Sequence, residues 1–217
     1  MRTESGRRPV AIAGASQPTQ EDMPPPDEWL LLVYRPAPEA SNSRIAVWRE
    51  LKRLGALYLQ QCVCVEPPSP ACIEAIQTIA QKIETAGGSC YLFHAADAVP
   101  GQAARIVDGF RELSVKEYEE LLGECKNKFE REVEFERFRG NFVYGEVDEL
   151  RGDLERLQRW SARIVERDLF DAGYRVRAAE ALAQCTQLLE EFEEEVYRRG
   201  AEASEPSESQ EGQESAS

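Results

Sequence analysis

Residues 44 to 66 read RIAVWRELKRLGALYLQQCVCVE. The stretch changes period in the middle. From Arg44 to Leu54 the spacing predicts a helix with Val47, Trp48, Leu51 and Leu54 on one face and Arg49, Lys52 and Arg53 on another. Asn42 or Ser43 supplies the cap and Gly55 the break. Residues 56 to 66 are rich in β-formers and stop at Pro67-Pro68, as one long strand or two short ones.

The segments on either side fit the same scheme. WLLLVY, residues 29 to 34, is a continuous apolar run ended by Arg35-Pro36, which predicts a buried strand. Ser69 is placed to cap a helix with Pro70 at its first position. Ile73, Ile76, Ile79 and Ile83 give that helix one apolar face, and Gly87-Gly88 ends it. SCYLFH, residues 89 to 94, is the last strand. The order β-α-β(β)-α-β predicts a ferredoxin-like α/β sandwich with both helices on one face of the sheet. Trp48, Leu51, Ile76, Ile79 and Ile83 are expected beneath that sheet.

After Pro100-Gly101 the strand signals stop. Leu113 to Phe138 reads as a charged helix, interrupted at Gly140-Asn141. Val147, Leu150, Leu154, Leu157 and Ile164 follow an a/d pattern with Ser161 in one slot. Leu182, Cys185, Leu189, Phe192 and Val196 form a second. Asp171-Ala-Gly173 turns between them, so an antiparallel hairpin is expected. The class is therefore α+β: a ferredoxin-like sandwich followed by a C-terminal antiparallel helical region. The expected division is a disordered N-terminal segment at 1–27, the sandwich at 28–99, a helical hairpin or bundle at 100–200 and a disordered acidic tail at 201–217.

The 217 residues hold 26 Lys plus Arg against 40 Asp plus Glu, a net charge of −14. Residues 28 to 200 alone carry 23 bases and 31 acids. That balance argues against a general phosphate-backbone binder. No apolar run approaches the roughly 18 to 20 residues needed to cross a bilayer, and no secretory signal opens the chain. A cytoplasmic protein without a membrane partner is expected. Its six cysteines then read as reduced thiols. One histidine, His94, rules out a multi-histidine metal site and leaves a His-based triad a single candidate.

Few residues offer chemistry. Arg44, Arg49, Lys52 and Arg53, against Glu50 alone, are the densest bases in the chain. Either they are a solvated face plus one ion pair, or they contact an anion or DNA, for which Arg is well suited. Arg44 falls on the apolar side at the helix start, where its charge needs a partner. Cys62 and Cys64 are two apart in a strand, so both thiols face one way. They read either as core or as redox thiols. The Glu-rich runs 130–136 and 190–195 are expected to be solvated helix faces. No phosphate-binding, dinucleotide-binding, zinc-protease or nucleophile-elbow motif occurs. The expectation is no catalytic residue, no metal and no cofactor.

Residues 29–34, Arg44 to Ala56, Tyr58-Leu-Gln-Gln61 and Val63-Cys-Val-Glu-Pro67 resemble the N-terminal domain of ChrB proteins, bacterial regulators of chromate resistance. The likeness continues at Glu117 to Cys125 and at Glu166 to Ala172. It implies a regulator that responds to chromate and acts in transcriptional control; the basic helix face would touch DNA or chromate, and the negative charge of residues 28 to 200 makes any DNA contact local, from a homodimer that pairs two basic helices. A non-enzymatic interaction module that docks through its helical hairpin is the alternative. A ChrB protein continues into a second domain, so this chain resembles the N-terminal half standing alone. Cys62 and Cys64 stand where that family has Ser and an aromatic, so the thiols are not inherited machinery. No helix-turn-helix is evident. A fainter likeness runs to the middle domain of PaaX-type repressors and to small CRISPR-associated ferredoxin-like nucleases. Those nucleases carry an Asp at the end of the first strand. Here Tyr34-Arg35 stands there, so the fold is expected without nuclease activity.

Overall fold

A computed structural model describes residues 26–37 and 41–204, without the side chains of 41–43 and 203–204. The expected disordered segments lie outside the described residues, apart from 26–27 and 201–204. The element order is β1 (Trp29–Arg35), α1 (Ser41–Leu54), β2 (Leu57–Gln60), β3 (Val63–Glu66), α2 (Pro70–Thr85), β4 (Ser89–Ala95), α3 (Gln102–Glu124), a π-helical turn (Cys125–Phe129), α4 (Glu130–Arg139), α5 (Tyr144–Arg167) and α6 (Arg175–Ser204). The strands form one antiparallel sheet in the order β2-β3-β1-β4. This is the ferredoxin-like arrangement within an α+β protein.

Side chains alternate across β1 and so divide the core in two. Leu30, Leu32 and Tyr34 meet Val47 and Leu51 of α1 and Ile76, Ile79 and Ile83 of α2. Ser69 caps α2 by accepting the Cys72 N–H at 3.1 Å, with Pro70 at the first position. Trp29 and Val65 point to the opposite face, against Val107 and Phe110 of α3 and Phe170 of the α5–α6 loop. The Trp29 and Phe110 rings stack at 5.9 Å. A Cβ at Gly109 would stand 2.8 Å from Leu57, so this glycine lets α3 approach the sheet closely. The sheet thus carries α1 and α2 on one face and α3 on the other.

Trp48 departs from expectation. It is 46% exposed and does not pack beneath the sheet. It follows Val47 by about 100° of helical rotation, which carries it off the core arc toward Lys52. Val47 and Leu51 hold α1 to the sheet instead. Arg44 also differs: it is exposed, and no ion pair joins it to a described residue. The helix begins at Ser41, so Asn42 and Ser43 lie inside it.

Residues 56 to 66 are two strands. Cys62 sits in the turn between them, not in a strand, with φ of 63°. The long charged helix starts at Gln102, well before Leu113. Its buried residues Leu121, Cys125, Phe129 and Val133 are spaced by four. On an ideal α-helix each such step overshoots by about 40°. The wider π turn takes up this drift and keeps all four facing α5 and α6. α5 and α6 pack side by side as the expected hairpin, Arg151 reaching Glu193 at 2.6 Å.

Candidate functional site

α1 places Arg49, Lys52 and Arg53 in solvent, together with Arg44 at its first turn. Its acid, Glu50, is occupied by Lys82 of α2, at 2.8 Å. No ion pair joins Arg44, Arg49 or Arg53 to any described residue. The Lys52 ammonium stands 5.3 Å from the centre of the Trp48 ring, a cation–π contact that orients it. Arg49, Lys52 and Arg53 thus share one exposed cationic face, and Arg44 is exposed at the start of the helix.

A groove of about 150 Å³ runs beside this edge, between α1, β2 and α3. Trp48, Lys52, Tyr58, Ser114, Glu117 and Arg167 line it. Arg167 is already paired with Glu117. Gly55, at φ of 102°, lets the chain turn there, and a Cβ in its place would stand 3.3 Å from Arg167. The Tyr58 hydroxyl hydrogen-bonds Tyr34 at 3.1 Å. Burial raises the pKa of both phenols, so they stay protonated. The groove thus joins one free ammonium, Lys52, to an exposed aromatic ring. Sequence reasoning missed the role of Trp48 because it sorted residues by polarity before angle.

The expected thiols lie deeper. Cys62 is half-buried in its turn and Cys64 is buried in the sandwich core. Burial, with Glu66 and the neighbouring thiols adding to it, pushes Cys64 up to about 12. Cys72 of α2 is also pushed up to about 12, first by burial and then by Glu66. A thiol held protonated is a poor nucleophile and metal ligand. Among the described residues no group of three or more His, Cys, Asp or Glu side chains is placed to hold a metal ion. His94 is exposed at the edge strand, 3.4 Å from Glu28.

Fold and surface together define a ferredoxin-like α+β protein that presents a cationic helix beside a small groove. Residues 44–203 match the family described as Protein ChrB, N-terminal. The match spans well over half of the chain, which belongs to this family, and membership ties it to chromate resistance. No curated protein matches the chain. No helix among the described residues is long and apolar enough to cross a membrane.

Proposed function

We propose that the protein is a non-enzymatic regulator of chromate resistance, acting in transcriptional control through the basic edge of α1. One observation carries this reading: Arg44, Arg49 and Arg53 are exposed and unpaired to any described residue, in a chain that is otherwise acidic and whose family match starts at Arg44. Unneutralised bases on an acidic protein attract anions locally without general affinity for nucleic acid. The anion is a DNA phosphate or an oxyanion such as chromate. The charge of −14 favours a dimer that pairs two basic helices over a single broad contact.

The test replaces Arg49, Lys52 and Arg53 together with Ala. DNA binding through this edge predicts weaker affinity across unrelated duplexes and a salt slope flatter by about 0.9 per lost phosphate contact. Oxyanion binding predicts loss of any chromate-dependent rise in Tm. A folded triple variant that still regulates normally overturns the reading.

A second reading, docking through the helical part, has its own support. Phe135 and Phe138 of α4 and Val143 and Tyr144 at the start of α5 are exposed together around one turn, Phe138 at 89%. A cluster of this kind on a surface marks an interaction site. A partner that binds through it is expected to keep its affinity in high salt and to lose it in Phe138→Asp.

A further inference from the structure

β4 lies at one edge of the sheet, and no described strand pairs with its outer side. Its sequence, SCYLFHA, holds no Lys, Arg, Asp, Glu or Pro. Its seven residues pair with β1 without a bulge. Charges, prolines and bulges are the usual means of keeping an edge strand from pairing with another chain. β2, at the opposite edge, has only four residues, an irregular register and α3 against it. β4 has none of these protections. Two of its side chains, Tyr91 and Phe93, are 63% and 51% exposed and stack at 6.3 Å. They stand across from Val33 and Leu31, on the face of the sheet that α3 covers only in part. We propose that β4 is a homodimer interface: it pairs antiparallel with β4 of a second copy, about a two-fold axis at Leu92, and joins two four-stranded sheets into one.

The backbone fixes which groups are available. The Tyr34 N–H donates to the Cys62 carbonyl at 2.9 Å and so points away from β4. Direction alternates along a strand, so Leu31 and Val33 turn toward β4 and bond Phe93 and Tyr91. Cys90, Leu92 and His94 therefore turn their N–H and C=O groups to the open edge. An axis at Leu92 aligns the whole strand with its copy. Leu92 then meets the second copy's Leu92, and Cys90 meets the second copy's His94, each pair exchanging two hydrogen bonds. Tyr91 falls opposite the second copy's Phe93 in a close, non-hydrogen-bonded pair, where aromatic side chains interact well. The strand is thus self-complementary, as a two-fold interface requires. Charge agrees with this register. Glu84 of α2 stands beside Cys90, 3.7 Å from its sulfur. Each His94, with Glu28 at 3.4 Å on its own side, comes up against the second copy's Glu84. Four half-exposed rings, at about 100 Å² each, cover roughly 400 Å². The backbone edge and the flank of α2 at Ala80 and Glu84 add to this. The contact lies at the low end of specific interfaces, so the dimer is concentration-dependent. The axis runs normal to the sheet, so both α1 helices stay on one face, but the interface does not rest on what they bind.

The test weighs the full chain by analytical ultracentrifugation over a dilution series up to about 100 μM. The mass is expected to rise toward twice that of the 24.5 kDa chain. Two double variants, Tyr91→Lys with Phe93→Lys and Tyr91→Glu with Phe93→Glu, set like charges against each other across the axis. Each is expected to lose the dimer and to keep the circular dichroism spectrum of the parent, since both side chains are more than half exposed in one copy. Mixed together they are expected to recover it, because every cross-axis pair is then Lys against Glu. Hydrogen exchange reads the register: the Cys90, Leu92 and His94 amides are expected to slow as the parent is concentrated, while those of Tyr91 and Phe93 stay slow throughout. The variant with Arg49, Lys52 and Arg53 replaced by Ala is expected to dimerise like the parent, which separates this result from the regulatory reading. A parent that stays monomeric across the series overturns the inference, and so does a dimer that both double variants leave intact. Exchange at Leu92 that does not change with concentration overturns it equally, since another part of the same chain then covers the edge or nothing does.

Discussion

Glu66 ends β3 only 4% exposed, and its Oε1 has no hydrogen-bond partner. Burial raises its carboxyl to about 8. In the unfolded chain a glutamate titrates near ~4.3. Between these values the folded state holds a proton that the unfolded state has released. Stability therefore falls as pH rises from about 4 through 8 and levels off above. Glu66→Gln removes this dependence. The variant is expected to be more stable than the parent by roughly 2 to 5 kcal/mol at pH 9, with the gap closing at pH 4. Urea midpoints at three pH values measure it, and a gap that does not widen with pH rejects the account. Trp48 gives a contrasting case. Exposed and tied mainly to Lys52, it is expected to cost roughly 1 kcal/mol on truncation to Ala. Leu51→Ala, on the same helix but buried, is expected to cost roughly 2 to 5 kcal/mol.

Between elements, the α5–α6 loop joins the two halves of the fold. Buried Asp168 accepts hydrogen bonds from the Ala172 N–H at 3.0 Å, the Tyr118 hydroxyl at 3.3 Å and Arg175 Nε at 2.9 Å. Burial first, and then Asp168, pushes Tyr118 up to about 12, so it remains a donor across the physiological range. Arg111 Nε donates to the Phe170 carbonyl at 2.9 Å, and the Phe170 ring rests on Phe110 and Trp29. The loop thus locks the hairpin, α3 and the sheet together. Asp168→Ala strands these donors and is expected to cost about 3 kcal/mol or more, read from urea unfolding by circular dichroism. A loss below about 1 kcal/mol would show that ring packing alone holds the loop.

At the scale of the whole molecule, the sheet depends on the helical half of the chain. Trp29 and Val65 have their covering residues in Val107, Phe110 and Phe170. A chain cut after residue 99 exposes that face. It is expected to bind a hydrophobic dye and to lose a cooperative thermal transition, while the chain through residue 204 unfolds as one unit. A sharp, reversible transition of the 28–99 fragment would mean that the α1 and α2 side is sufficient by itself.

The sequence alone determined the β-α-β(β)-α-β order, because strand and helix periods are local and Gly55, Pro67-Pro68, Ser69 and Gly87-Gly88 mark the boundaries chemically; that residues 56 to 66 are two strands was decided by the turn at Cys62. It also determined that Arg49, Lys52 and Arg53 share a solvent face, since helical phase depends only on spacing. Phase read with less regard for polarity would have placed Trp48 beside Lys52 as well. Only the tertiary structure decided the rest. Glu66 is of a type usually exposed, and no local pattern shows that β3 carries it into the interior. The start of α3 and its place on the second sheet face come from Trp29, Val65 and Phe110 meeting across the chain. The π turn at Cys125–Phe129 also belongs here, since Cys125, Phe129 and Val133 find their partners only as α5 and α6 return past them. Contacts of that kind are set by packing between distant segments, and a one-dimensional pattern holds no record of the distance between them.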